Sequence, residues 1–399
     1  MKRHRLVLLA VSLAAVTPVA AQRSAAPTIV LDKGATEFAD PFSQLAPVVE
    51  MRDRRVLTVD LKEKEFRVVD FARGSATPVS RAGSGPLEYQ VPGILLGGAG
   101  DTVIYFDVLQ RRLLLISPAG VPIRTQPHGR TDAATVVSLM RPALTDAAGR
   151  LYGITSGLIM PAPGAALTPA FADTVDIQVL DPRTGRAESL AQVRNPVSQA
   201  KPKMEMGPQG VKMTMVAPDF RPTDVWTVMP DGRVAILRDG VYRVHFISRG
   251  RPETLGPTVA YEPVPVTATE RRTIVDSVRT EIGRSLNTAR SAAAQAAPGR
   301  NITIDVEVLE PQSWAVSKPA YAGIIASPEG RLWVATPVSA GTKYARFDVL
   351  DGTGALVAHV QLAPGELFIG LGRGTVYTIR TDGDDLQYLR RYALPAPLD

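Results

Sequence analysis

One unit recurs six times along this chain: a turn built on Asp, Gly or Arg, followed by a short run of β-branched and aromatic residues. Arg52-Asp53-Arg54-Arg55 leads into Val56–Asp60, and Gly98-Ala99-Gly100-Asp101 into Thr102–Asp107. Asp146–Arg150 leads into Leu151–Thr155, and Pro230-Asp231-Gly232-Arg233 into Val234–Leu237. Pro328-Glu329-Gly330-Arg331 leads into Leu332–Ala335, and Gly370–Gly374 into Thr375–Ile379. Such runs, bounded by Gly and Asp, are the pattern of strands joined by tight turns. A second run follows most of them within about ten residues, as in Arg112–Ser117, Val241–Ile247 and Leu386–Tyr392.

A sheet of three or four strands cannot bury both of its faces alone. Stacking several sheets around an axis buries the faces and leaves only short edges. Six copies therefore predict an all-β chain, a six-bladed β-propeller with one helical insertion. Two β-sandwiches built from the same strands fit less well, because the unit recurs more regularly than sandwich strands do. Intervals between the turns at 53, 100, 149, 232, 330 and 373 are uneven, and the two long ones need a blade plus an insertion. Residues 28–399 are read as one propeller domain, with insertions near 192–222 and 267–297. The isolated run Thr28–Leu31 is expected to pair with the last blade, which is one strand short.

Residues Arg81 to Pro92 include Gly83, Gly85, Pro86 and Glu88. This segment resembles the inter-blade signature of NHL-type six-bladed propellers, in which a Gly-x-Gly-Pro-Gly-Glu-Phe-like turn precedes a Pro and the next first strand. Leu87 stands where that family has Gly, and Tyr89 replaces Phe. By this resemblance the chain is similar to secreted bacterial six-bladed propeller proteins. The loop itself reads as structural: glycines to permit positive φ, Pro86 to stiffen the turn, and Glu88 to accept backbone N–H groups.

The first 21 residues have the layout of an export signal: basic Lys2, Arg3 and Arg5, the apolar run Leu6–Val16, then Val19-Ala20-Ala21. The run is too short to span a bilayer. Cleavage after Ala21 implies a periplasmic or extracellular protein. The leader also holds half of the formal charge of +6, and the remaining arginines are scattered singly or in pairs. Nucleic-acid binding needs a dense basic stripe, so no nucleic-acid partner is expected. The absence of Cys excludes disulfides, thiolate metal sites, a cysteine nucleophile and a lipid-modified N-terminal cysteine.

Thr267 and Glu270 form a capping-box pattern ahead of Ile274, Val278, Ile282 and Leu286, and Pro298-Gly299 closes the segment. A helix over 267–297, packed on the face or flank of the propeller, is the expectation. Lys203–Met215 reads as a hairpin around Gly207-Pro208-Gln209-Gly210. On it Met204 and Met206 share one face, as do Met213 and Met215. Four thioethers suit copper(I), a soft ion. The competing reading is an apolar hairpin face in which flexible Met fills gaps.

No His-Glu-x-x-His, Gly-x-Ser-x-Gly or phosphate loop is present. Thr381–Asp385 reads as a hairpin turn rather than a calcium loop. Asn301-Ile302-Thr303 matches a glycosylation triplet. Trp226, Trp314 and Trp333 are expected in the core. The sequence assigns no catalytic residue and no cofactor. The favoured reading is a monomeric binding or scaffold module for a protein, peptide or glycan, without a membrane span. The alternative is a hydrolase or lactonase-like propeller using acids near the channel. Its candidates are Asp53, Asp101, Glu329 and His128, His245 and His359.

Overall fold

Each repeated run becomes the second strand of an antiparallel sheet, and the sheets form a six-bladed β-propeller. The computed structural model describes residues 26–128 apart from 84, 90–93, 108, 109 and 111. It further describes 141–200 apart from 156 and 160–169, and 203–398 apart from 208, 209, 297–302 and 397. The leader and the Asn301-Ile302 pair of the glycosylation triplet lie outside the described residues.

Blade 1 holds the strands Val49–Glu50, Val56–Asp60, Glu65–Asp70 and Ser75–Pro78. Blade 2 holds Ile94–Gly97, Val103–Asp107, Arg112–Ile116 and Pro122–Pro127, and blade 3 Arg141–Thr145, Leu151–Ile154, Thr174–Asp181 and Arg186–Arg194. Blade 4 holds Val225–Val228, Val234–Leu237, Arg243–Ile247 and Thr254–Thr258, and blade 5 Gly323–Ala326, Leu332–Thr336, Arg346–Leu350 and Leu356–Leu362. Blade 6 takes Leu367–Gly372, Thr375–Thr381 and Gln387–Ala393 from the C-terminal end. First strands of successive blades touch, from Leu367–Gly372 through blades 1, 2, 3 and 4 to Gly323–Ala326, and so form the inner ring.

A second strand is covered on both sheet faces by neighbouring blades. That is why Val56–Asp60, Val103–Asp107 and Val234–Leu237 are buried along their whole length. They read as continuous runs rather than as the alternation of a half-solvated strand. The turn arginine of the repeat ties blades together. Arg55 donates to the Pro118 carbonyl of blade 2 at 2.9 Å, and Arg233 donates to the Gly352 carbonyl of blade 5 at 2.9 Å.

The N-terminal segment differs from expectation. Thr28–Leu31 does not close the last blade; it lies parallel to Leu356–Leu362 as a fifth strand of blade 5. Blade 6 is completed instead by Thr36–Glu37, antiparallel to Gln387–Ala393. The register is decided by burial. Leu31 enters the cluster of Trp333, Phe347 and Val360, whereas Phe38 and Phe42 fill the seam between blades 6 and 1.

The two insertions also differ from expectation, because they build one unit. The hairpin Lys203–Gly207 and Gly210–Val216 gains a third strand, Thr303–Leu309, parallel to its second. The helix Ala268–Ala296 rests on this small sheet rather than on a blade. Its stripe Ile274, Val275, Val278 and Ile282 meets Met215, Ala217, Val308 and Trp314. The capping box forms: Thr267 N donates to Glu270 Oε2 at 2.9 Å, and Glu270 N to Thr267 Oγ1 at 3.3 Å.

Lys318 pairs with the same carboxylate and also donates to the Val338 carbonyl at 2.6 Å, which anchors the helix start to blade 5. Burial pushes the Glu270 carboxyl up, but Lys318 and the Thr267 donors outweigh it and hold the group below its ordinary range. A carboxyl depressed in the folded state contributes stability above its unfolded pKa, and the contribution is lost as pH falls through the folded value. Circular dichroism should therefore show helix loss beginning below about pH 4. In Glu270→Gln the part of that acid loss carried by Glu270 should be absent, leaving only the part from other carboxyls held low, such as Glu253 and Asp351. Identical acid profiles for the two proteins would refute the anchor.

Candidate functional site at the channel mouth

First strands in a propeller start at the face that carries the connections between blades. Ile94 and Leu367 are the first residues of their strands, and Ile325 lies within the first strand of blade 5. All three are exposed, Leu367 by 57% and Ile94 by 41%. Burying a first-strand side chain requires a neighbouring blade on that side. Ile94 and Leu367 stand at the strand starts, where the ring opens and water meets them, whereas Ile325 lies further along its strand toward the turn at 327–331. Trp226, on the first strand of blade 4, is half-buried and packs toward Tyr152 and Val234. The insertion unit arises from residues 195–224 and 259–322, the connections into blades 4 and 5, so it stands on this same face.

The loop Arg81–Tyr89 belongs to this face too. Glu88 Oε2 accepts from Gly85 N at 2.8 Å, and Oε1 accepts from Arg81 Nε at 2.5 Å. The Gly85 amide and then Arg81 hold the Glu88 carboxyl below its ordinary range. Arg112 donates to the Gly85 and Glu88 carbonyls at 3.0 and 2.6 Å. The glycines serve a different need from the one expected. Neither Gly83 nor Gly85 is among the positive-φ residues. A Cβ on Gly83 would fall on the Glu88 carboxylate and one on Gly85 would sit 2.9 Å from its Oε2, so a side chain at either position would displace that carboxylate from its bonds to Gly85 and Arg81. Pro86 and Leu87 are exposed at the tip, and Tyr89 is locked against Phe66 and Tyr105.

The residues named for an acid-based site are not brought together. Asp53 is in the turn between the first and second strands of blade 1, where Oδ2 accepts from Arg55 Nε at 2.7 Å and so orients that inter-blade guanidinium. Asp231 does the same for Arg233 at 2.7 Å. Glu329 accepts from Gly374 N at 3.1 Å. Asp101 lies in the short 3-10 turn Ala99–Asp101.

The histidines lie away from the inner strands. His128 is buried with its ring edge-on to Phe106 at 4.9 Å. His245, on the third strand of blade 4, pairs with Glu253, which also takes two bonds from Arg238 at 2.7 and 2.8 Å. His359 Nδ1, on the fourth strand of blade 5, lies 2.6 Å from Asp348, which accepts from the Tyr242 hydroxyl at 3.0 Å. Among the described residues, no three His, Asp or Glu side chains are arranged to hold a metal ion.

Thr381–Asp385 is a hairpin turn in which Asp382 Oδ1 accepts from Asp384 N and Leu386 N, both at 3.0 Å. Trp333 is buried between blades 5 and 6, and Trp314 packs under the inserted helix. Sequence reading missed Ile94, Ile325 and Leu367. Their one signal is an apolar residue at the first strand of a repeat, which looks the same as core until the ring is assembled.

No family model matches the chain, and no curated protein matches it. Among solved structures, the chain is similar to a member of the DUF4221 family from Bacteroides vulgatus at 8% identity, covering 91% of this chain and 98% of that one, with a TM-score of 0.45. It is also similar to a gluconolactonase from Xanthomonas campestris at 12% identity, covering 90% and 92%, with a TM-score of 0.39. A third likeness is to a calcium-binding protein, regucalcin, from Agrobacterium tumefaciens, at 13% identity, covering 91% and 95%, with a TM-score of 0.35. Likenesses this distant assign no residue and no activity here. Among the described residues, no helix is long and apolar enough to cross a membrane.

Proposed function

We propose that this chain is an exported binding module that takes up a protein, peptide or glycan at the mouth of its channel. The observation that carries the reading is the exposed apolar pair Ile94 and Leu367, both at the start of an inner strand. Apolar groups at the opening of a pre-formed ring suit a ligand that brings its own apolar surface. The inserted unit rises on the same face and offers a second wall. Asp53, Glu329, His245 and His359 are each engaged in contacts within or between blades, which supports binding over acid-base chemistry. Export rests on the leader, with the periplasm or the outside of the cell as the place of action.

Peptide-display selection and glycan arrays on the mature chain would test the reading. Ligands selected in this way should bind Ile94→Glu and Leu367→Glu about tenfold more weakly, since truncating or charging an anchor at a contact centre costs at least that much. Leu255→Glu should bind as the parent does, because Leu255 is exposed on the fourth strand of blade 4, at the outer rim. Ligands that ignore both mouth variants, or that are lost only with the rim variant, would move the site elsewhere.

A further inference from the structure

Blade 5 is five strands wide, whereas each of the other blades has four. The extra strand is Thr28–Leu31, and strands in a sheet lie about 4.8 Å apart. Blade 5 therefore reaches past the outer strand of blade 4 and leaves a ledge. Ile29 and Leu31 point to the blade 6 side, into the cluster of Phe347 and Val360. Thr28 and Val30 alternate with them and point to the blade 4 side, where both are exposed, Val30 by 48%.

The register lines up side chains on that ledge. Arg346, Gln361 and Val30 are partners across three adjacent strands, and so are Asp348, His359 and Thr28. Val334 is the partner of Asp348 on the other side, and it packs against blade 4 together with Tyr242 and Val244, which fixes the side that the two rows face. Across from them, just beyond the outer strand of blade 4, stands Tyr261. At 46% it is the most exposed aromatic ring among the described residues. Its ring meets Tyr242 edge-on with centroids 6.4 Å apart, and the Tyr242 hydroxyl donates to Asp348 Oδ2 at 3.0 Å. One chain of contacts thus holds the exposed ring and the polar rows together.

The hydrogen bonds leave two groups available. His359 Nδ1 donates to Asp348 Oδ1 at 2.6 Å, so that nitrogen has no lone pair left. Arg346 Nη2 lies 3.2 Å from the same nitrogen and gains no bond there. Both Asp348 oxygens are taken by His359 and Tyr242, and no carboxylate of the described residues lies within ion-pair distance of Arg346. Its fork of donors matches a planar carboxylate. With the proton at Nδ1, His359 Nε2 is an acceptor, which suits a hydroxyl. Tyr261 adds a flat apolar face with a polar tip. A carboxylate, hydroxyls and an apolar face on one small frame describe a uronic acid.

We propose that this ledge between blades 4 and 5 binds an acidic saccharide, with Tyr261 against a sugar ring, Arg346 on its carboxylate and His359 Nε2 on a hydroxyl, at a site apart from the channel mouth.

Titration calorimetry of the mature chain with tetramers of galacturonic, glucuronic and mannuronic acid should show binding of at least one. The methyl ester of that tetramer keeps its shape and removes its charge. It should bind about tenfold more weakly, the scale for losing a hydrogen bond to a charged group. Arg346→Gln should lose about as much affinity for the acid and no longer distinguish it from the ester. Tyr261→Ala should weaken both forms alike. Arg346 and Tyr261 are exposed, so neither substitution should move the unfolding midpoint appreciably. Ile94→Glu and Leu367→Glu should bind the tetramer as the parent does, which separates this site from the mouth. No binding of any acid tetramer, equal binding of acid and ester, equal binding of a glutamate tetrapeptide, or undiminished binding by Arg346→Gln would each overturn the assignment.

Discussion

Phe42→Ala should lower unfolding stability by about 3–5 kcal/mol, the range for removing a large aromatic side chain from a packed core. Phe42 is 2% exposed and lies in the cluster that joins Val56 and Val69 of blade 1 to Tyr377, Ile379 and Leu389 of blade 6. A ring fails first where its ends meet, because no covalent chain crosses that seam except the N-terminal segment. The segment is stitched there by backbone bonds: Phe42 N donates to the Gln387 carbonyl and Gln387 N to the Phe42 carbonyl, both at 2.8 Å. The Gln387 side chain accepts from Leu45 N at 2.6 Å, and Asp60 accepts from Ser43 N at 2.7 Å. Removing the ring of Phe42 leaves a cavity that these bonds prevent from collapsing. Denaturant titration read by tryptophan fluorescence gives the value. A loss below about 1 kcal/mol, the scale of an ordinary surface change, would mean that the seam is not closed by this residue.

Glu366→Ala should cost about as much, for a different reason. Glu366 is 4% exposed, and its carboxylate accepts from the Thr378 hydroxyl at 2.6 Å and the Tyr392 hydroxyl at 2.8 Å, and pairs with Arg390. Deleting it strands the Thr378 and Tyr392 hydroxyls inside blade 6, while Arg390 keeps Glu37 at 3.3 Å. Each buried hydroxyl left without its acceptor costs about 1–3 kcal/mol, and the two together make up the loss. Glu366→Gln keeps an acceptor and should recover part of that loss. Equal destabilisation by the two substitutions would show that volume, not the polar network, is what matters. The same denaturant titration separates the cases.

Much of the architecture is visible in residues 52–379 because each blade repeats the same local chemistry. Asp and Gly make the turn, an Arg follows, and a run such as Val56–Asp60 or Val234–Leu237 is apolar without alternation because both of its faces are covered. The capping box at Thr267 and Glu270 is equally local, and the helix starts beside it. Contacts distant in sequence are not visible in this way. Thr28–Leu31 suits either blade 5 or blade 6 as a β-run, and only the pocket for Leu31 beside Trp333 and Phe347 selects blade 5. The pairing of Gly210–Val216 with Thr303–Leu309, which turns two insertions into one unit, spans some ninety residues and has no local signature.

The candidate site follows the same division. Glu88 was recognisable as an acceptor in its loop, but the reason for Gly83 and Gly85 was not, since it lies in the path of the folded carboxylate. Asp53 and Glu329 look like free acids until the neighbouring Arg55 and the Gly374 amide are in place. By itself the sequence determined the number of blades and the position of the helix, because turns, strands and caps are written in neighbouring residues. The tertiary structure decided which strand closes which blade, that the insertions join, and that Ile94, Ile325 and Leu367 meet solvent. Closing a ring sets the exposure of every first strand at once, and no segment carries that information alone.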